Sequence, residues 1–104
     1  MSSHGPTLRK RRALGQHYLK DRTVIDRVVS RTLQMAREQE CRHLIEIGPG
    51  RGALTDGLLA GWRSIPTLER FTIIEKDREL AAYWHKTLEQ KEGVRVICAD
   101  FLEV

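Results

Sequence analysis

The 104-residue chain is 40% hydrophobic and 31% charged, a size and composition that fit one small globular domain. Its net charge is +4, and much of the excess comes from a basic run, Arg9, Lys10, Arg11 and Arg12. A local basic run suits a polyanionic partner better than a uniformly basic surface does, although four charges alone fit a solvated tail equally well.

The two cysteines exclude a disulfide scaffold, and Cys41 and Cys98 are too far apart to form a zinc site. Cys98 closes an apolar run, so we expect it to be a buried small hydrophobe. No stretch approaches the roughly 18 apolar residues of a membrane span, and the N-terminus lacks the apolar core of a signal peptide. We therefore expect a cytoplasmic protein without a metal site.

The N-terminal third of the chain divides into a leader, a loop and a helix. Residues 1–8 are polar and contain Gly and Pro, so we expect a disordered leader, with residues 9–104 forming the domain. Residues 13–19 are too short and too mixed for a helix and indicate an ordered loop. The apolar spacing that follows predicts a helix up to about Glu38, capped by Asp21 or Thr23.

Three apolar strands alternate with two further helices in the rest of the chain. The strands are predicted at 43–47, 71–75 and 94–98. One helix is predicted from about residue 53 to 60, and a second begins after Asp77, which we expect to be its cap. This alternation predicts an α/β fold with a parallel sheet built from right-handed βαβ units.

Three alternating glycines, Gly48, Gly50 and Gly52, lie between the first strand and the next helix. Glycine adopts positive φ and lets a ligand approach the backbone without meeting a Cβ, and a helix start supplies unpaired N–H groups. Ligands of open parallel sheets bind beyond the carboxyl ends of the strands. We therefore expect a nucleoside-containing cofactor on this turn.

Acidic residues end the two neighbouring strands. Glu75 lies 27 residues beyond Gly48, roughly where a nucleotide fold places an acid for the ribose hydroxyls. Asp100 follows the third strand and could accept a hydrogen bond from the exocyclic amine of a base. Each acid on its own is a common polar residue at a strand end. A site is favoured because the glycine turn, Glu75 and Asp100 all lie at the ends of neighbouring strands. Glu46 is expected to support the N–H groups of the turn, or else to be a half-exposed strand acid.

The glycine spacing disfavours a dinucleotide cofactor. The dinucleotide fingerprint is Gly-x-Gly-x-x-Gly, whereas here the third glycine comes one position early and Pro49 removes an N–H that a pyrophosphate could use. The chain has no P-loop motif either. A cofactor without phosphates fits better, and S-adenosylmethionine qualifies. A nicotinamide-dependent oxidoreductase is the weaker alternative.

Three separated motifs occur in order and at suitable spacing: Lys10–Asp21, which contains Gly-Gln-His-Tyr-Leu, then Ile45–Thr55 and Ile74–Asp77. From about residue 9 to the end, the chain resembles the ribosomal RNA adenine dimethyltransferase family, in particular its bacterial small-subunit enzymes. The resemblance implies a Rossmann-like S-adenosylmethionine-dependent methyltransferase fold. It also implies N6,N6-dimethylation of adenines in small-subunit ribosomal RNA.

The same resemblance implies a set of cofactor contacts. In the family, the segment that matches residues 15–19 folds over the cofactor; Tyr18 stands where Phe is usual. Glu75 is expected on the ribose and Asp100 near the adenine ring. The implied contacts come from this segment and from the three strand ends: His17, Leu19, Gly48, Glu75 and Asp100.

The chain also departs from the family pattern. The catalytic Asn-Leu/Ile-Pro-Tyr motif after the fourth strand and the C-terminal helical domain have no counterpart. We therefore expect the cofactor half of a methyltransferase, truncated to its first three parallel strands. This fragment should be inactive alone, and residues 9–12 are expected to bind RNA. The first strand would then have a bare edge that invites self-association. The alternative is an RNA-binding module that uses the basic arm without catalysis.

Overall fold

The computed structural model describes residues 20–103, which form a three-stranded parallel sheet and three α-helices. This architecture confirms the predicted α/β class. The predicted leader and the loop at residues 13–19 lie outside the described residues. The elements in chain order are α1 (Arg22–Glu38), β1 (His43–Ile47), α2 (Thr55–Gly61), β2 (Arg70–Glu75), α3 (Arg78–Leu88) and β3 (Val94–Cys98), with short 3-10 turns at Trp62–Ser64 and Phe101–Glu103.

Helix α1 begins where a side chain can satisfy its first backbone N–H groups. The carboxylate of Asp21 accepts hydrogen bonds from the N–H groups of Thr23 at 2.9 Å and Val24 at 3.4 Å. Asp21, rather than Thr23, is therefore the cap. The helix ends before Glu40, whose φ of 52° is incompatible with a further helical turn. Among residues 20–103, no helix is both long and apolar enough to cross a bilayer.

Helices α1 and α2 approach each other closely because two glycines lie on the facing side of α2. A Cβ at Gly57 would lie 2.9 Å from a methyl group of Val29, and a Cβ at Gly61 would lie 2.6 Å from a methyl group of Leu33. Glycine at these two positions, four residues apart, gives the larger side chains of α1 room to pack.

Strand β2 lies between β1 and β3, and both strand pairs are parallel. The register aligns Leu44 with Phe71 and Phe71 with Val94, and this row faces the helices. Phe71 and Ile73 have no exposed surface, and the Trp62 ring packs edge-on against Phe71 with 6.1 Å between ring centroids. The carboxyl ends of all three strands therefore meet at one edge of the sheet.

The other face of the sheet is partly uncovered. Ile45 and Ile47 are 49% and 51% exposed, whereas Thr72 is buried and lies 2.6 Å from His43, measured from Oγ1 to Nε2. Within the described residues, β1 pairs only with β2. In this sheet β1 is thus an edge strand, as expected, and it carries exposed apolar side chains.

Two expectations require correction. Helix α2 begins at Thr55 rather than near residue 53, because the chain still turns through residues 51–54 after Gly52. Cys98 is exposed rather than buried, since β3 is the other edge strand of the described sheet.

Candidate functional site

The glycine turn, residues 48–52, connects β1 to the start of α2. Gly48, Gly50 and Gly52 have φ values of +67°, +56° and +92°, in the left-handed region that disfavours side chains. The N–H of Gly48 donates to the carbonyl of Ile74 at 2.8 Å, and that of Gly52 donates to the carbonyl of Pro49 at 2.9 Å. The alternation of glycines therefore follows from the backbone conformation of the turn.

The space around the turn is open beside two of its glycines and filled beside the third. Among the atoms of residues 20–103, none but those of the glycine and its two chain neighbours lies within 4 Å of where a Cβ at Gly48 or Gly50 would be. A Cβ at Gly52 would lie 2.6 Å from Cη2 of Trp84, a residue of α3. The open side lets a ligand approach the backbone directly, as the sequence predicts.

Glu75 connects the glycine turn to the start of α3. Its Oε2 accepts from the N–H of Asp77 at 2.9 Å, and its Oε1 accepts from the N–H of Gly50 in a long bond of 3.4 Å. The side chain is only 5% exposed. Each carboxylate oxygen has a second lone pair, so acceptor capacity remains for the hydroxyls of a ligand. The structure thus brings the predicted acid into contact with the predicted turn.

Asp100 lies at the same edge, beyond the end of β3. Strand β3 stays joined to β2 up to this point, because the N–H of Ala99 donates to the carbonyl of Glu75 at 3.1 Å. Asp100 is half-buried, and its Oδ1 accepts from the N–H of Leu102 at 2.9 Å. This bond fixes the orientation of the carboxylate at the edge that also carries Gly48 and Glu75.

Glu46 supports the turn differently from the way the sequence predicts. It is 8% exposed, rather than half-exposed, and its Oε1 accepts from the hydroxyl of Thr55 at 2.7 Å instead of from N–H groups of the turn. Thr55 is fully buried at the start of α2. The hydrogen bond therefore links β1 to the helix on the far side of the glycine turn.

Burial dominates the electrostatics of Glu46. Desolvation raises the pKa of its carboxyl above the ordinary value of 4.5, the hydrogen bond from Thr55 lowers it, and the negative charge of Asp56 raises it further. The net effect is a raised pKa, so the carboxylate form is held in the protein at a cost in stability.

Sequence reasoning assigned Asp77 correctly and missed Trp84. Asp77 is a helix cap, since its Oδ1 accepts from the N–H of Leu80 at 3.0 Å. Trp84 lies on the buried face of α3, and its indole N–H donates to the carbonyl of Gly50 at 2.9 Å. A helical apolar period indicates that a side chain is buried, but it does not indicate which loop that side chain touches.

Several predicted site residues lie outside the described residues, among them His17, Leu19 and the basic run at residues 9–12. Their contacts with a cofactor or with RNA therefore stay predictions. Within residues 20–103, no group of three or more His, Cys, Asp or Glu side chains is arranged to hold a metal ion.

Comparison with known protein families bears on the family resemblance of the sequence motifs. The sequence profile described as ribosomal RNA adenine dimethylase matches residues 7–104, which is nearly the whole chain. The chain belongs to the ribosomal RNA adenine dimethylase family. This membership confirms the resemblance seen in the three sequence motifs. It also agrees with reading the parallel sheet and its glycine turn as part of a Rossmann-like methyltransferase fold.

Three similar curated proteins carry the name ribosomal RNA small subunit methyltransferase A. The protein of Leptothrix cholodnii is 38% identical over 94 residues, which cover 90% of this chain and 30% of that protein. The protein of Coxiella burnetii strain RSA 331 is 36% identical over 93 residues, covering 89% of this chain and 32% of the relative. The protein of Acidithiobacillus ferrooxidans is 38% identical over 104 residues, which cover 100% of this chain and 35% of that protein.

The chain thus spans about a third of the length of these relatives. Within that third lie the glycine turn and the three strand ends described above. The family implies a methyl donor in general terms.

Proposed function

We propose that this chain is the S-adenosylmethionine-binding portion of a ribosomal RNA adenine N6,N6-dimethyltransferase that acts on small-subunit ribosomal RNA. The observation that carries the proposal is the contact between the glycine turn and Glu75, made at the edge where the three parallel strands end. We also propose a cytoplasmic location, in keeping with a ribosomal RNA substrate.

The chemistry of the turn and of its neighbouring carboxylates supports an adenosyl ligand. The backbone at Gly48 and Gly50 is open to a ligand, and Pro49 between them has no N–H for a pyrophosphate. The carboxylate of Glu75 has lone pairs left for two vicinal ribose hydroxyls, and that of Asp100 can accept from the adenine amine. His17 and Leu19 are proposed to close over the cofactor from the other side.

When bound, the cofactor would supply an electrophilic methyl group on a sulfonium sulfur. Transfer of that methyl group to an adenine N6 would leave S-adenosylhomocysteine and release one proton to solvent. In this scheme the residues of this chain hold and orient the adenosyl group, because the glycine turn fixes its approach and Glu75 fixes the ribose. The reaction is repeated once per adenine and requires no metal.

Isothermal titration calorimetry with S-adenosylhomocysteine tests the binding role of Glu75. We expect the unsubstituted chain to bind, and Glu75→Gln and Glu75→Ala to raise Kd at least about tenfold, because the ribose hydroxyls lose a charged acceptor. Glu79→Ala, which removes an exposed carboxylate four residues away, is the matched control and should leave Kd unchanged. Equal Kd values for the Glu75 and Glu79 variants would contradict the ribose role.

The distribution of charge supports RNA as the partner of the basic run. Residues 20–104 carry equal numbers of acidic and basic side chains, so residues 9–12 account for the whole net charge of the protein. Binding to RNA should therefore weaken steeply with salt, and replacing the four basic residues with Ala should remove most of that salt dependence. The non-catalytic RNA-binding alternative requires RNA binding with no measurable affinity for S-adenosylhomocysteine.

A further inference from the structure

Trp84 and Glu75 both form hydrogen bonds with Gly50 of the glycine turn, one with its carbonyl and the other with its N–H. The indole N–H of Trp84 donates to the carbonyl of Gly50 at 2.9 Å, while the N–H of Gly50 donates to Glu75. Trp84 lies 34 residues further along the chain and is only 3% exposed. The donor is therefore buried, while the acceptor Gly50 is partly exposed at the surface of the turn.

The ring of Trp84 also fills the side of the turn that faces the protein interior. A Cβ at Gly52 would lie 2.6 Å from Cη2 and 2.8 Å from Cζ2 of the indole. Beside Gly48 and Gly50, by contrast, a Cβ would meet no atom of the described part of the chain within 4 Å. The indole thus contacts the turn at Gly52 and leaves the space beside Gly48 and Gly50 to a ligand.

We propose that Trp84 is a positioning residue for the glycine turn. By fixing the Gly50 carbonyl and supporting Gly52, it sets the backbone surface against which an adenosyl ligand lies. The ligand part of this inference rests on the proposed function, whereas the effect on the conformation of the turn does not. A tryptophan that serves only to fill the core would contribute to the stability of the whole fold without a particular effect on the turn.

Trp62 offers a matched control for the substitution. It is also a buried indole, 2% exposed, but it lies near the amino-terminal ends of the strands, away from the glycine turn. There its ring is 2.9 Å from the position of a Cβ at Gly93. Trp84→Phe and Trp62→Phe both keep an aromatic ring in the core, and only Trp84→Phe removes the donor to the turn.

Amide hydrogen exchange of the ligand-free chain, followed by NMR, tests the conformational part. In Trp84→Phe we expect the Gly52 N–H to exchange roughly tenfold faster relative to Ile73 in the core, and in Trp62→Phe we expect that ratio to be unchanged. An unchanged ratio in Trp84→Phe would overturn the inference. If that variant does not fold, the unsubstituted chain gives the answer: a Trp84 indole N–H that exchanges as fast as a free indole in water would also overturn it.

Calorimetry with S-adenosylhomocysteine tests the ligand part. We expect Kd to rise roughly three- to tenfold in Trp84→Phe and to stay the same in Trp62→Phe. Faster exchange with an unchanged Kd would show that Trp84 shapes the turn without serving the ligand, and would overturn this part. Absence of binding by the unsubstituted chain would instead contradict the proposed function, while the exchange result would still decide the role of Trp84 in the turn.

Discussion

The hydroxyl of Thr55 is the hydrogen-bond donor that keeps Glu46 in a buried position beside the glycine turn. The 2.7 Å bond joins two residues that are 8% and 0% exposed. Because desolvation raises the pKa of Glu46, the unfolded chain releases this proton at a lower pH than the folded chain does. The free energy of unfolding therefore falls as pH rises from 4.5 through the raised pKa, and the hydrogen bond from Thr55 limits that fall.

Thr55→Val removes this donor while keeping a β-branched side chain of similar shape. At pH 7 we expect a loss of about 1.5–3 kcal/mol in the free energy of unfolding, because the buried carboxylate loses a charge-assisted bond. The loss should be smaller near pH 4, where Glu46 is protonated. Urea denaturation at both pH values measures the difference.

Thr55→Ser serves as the control, because it keeps the hydroxyl and loses only a methyl group. Its loss of stability should be about 1 kcal/mol and independent of pH. If Thr55→Val lost the same free energy at pH 4 as at pH 7, the bond would not be what limits the desolvation of Glu46.

At the scale of elements, the contact between α1 and α2 depends on glycine where helix propensity alone would favour alanine. Gly57→Ala should gain up to about 1 kcal/mol in helix propensity, but its Cβ would lie 2.9 Å from a methyl group of the stiff, β-branched Val29. We expect a net loss of about 1–3 kcal/mol in the free energy of unfolding. Thermal or urea unfolding measures it.

The Val29→Ala background isolates the cause of that loss. There the Gly57→Ala change should be neutral or stabilising, so the two substitutions should be strongly non-additive. Gly61→Ala should be milder than Gly57→Ala, because its Cβ would meet only the terminal methyl group of Leu33, which can rotate away. Additive effects of Gly57→Ala and Val29→Ala would show that the two side chains do not compete for space.

Elements were predictable where their signals are local. Strand β1 has the predicted bounds, and Asp21 and Asp77 cap the helices that follow them, because a cap acts on N–H groups two or three residues away. The start of α2 was placed too early, since the left-handed Gly52 and the turn after it use residues that the apolar spacing alone assigns to the helix.

At the scale of the whole molecule, the sequence gives the edge of the sheet that carries the site but not the contacts that shape it. A glycine turn, Glu75 and Asp100 are each recognisable at a strand end, and parallel topology brings strand ends together. The bonds from Thr55 to Glu46 and from Trp84 to Gly50 join different elements through side chains, and no local pattern encodes them. The exposure of Cys98 likewise follows from strand order rather than from composition.

Strand β1 gives a prediction about the assembly of the isolated 104-residue chain. Its edge, which pairs with no other strand among residues 20–103 except β2 on its inner side and carries the half-exposed Ile45 and Ile47, is a surface on which a second copy can pair. We propose self-association, with an average mass by light scattering that rises with concentration. Ile45→Lys and Ile47→Lys should reduce it. A cooperatively folding monomer at high concentration would contradict this proposal.

The most direct test of the cofactor site is an NMR titration of the intact, isotope-labelled chain with S-adenosylhomocysteine. We expect the amide signals of Gly48, Gly50 and Asp100 to shift in a saturable way. Gly93 also has a positive φ but precedes β3 at the opposite edge of the sheet, so its amide should not shift. Saturable shifts centred on Gly93, or no shift at Gly48 and Gly50 at saturating ligand, would contradict the proposal that the glycine turn binds the methyl donor.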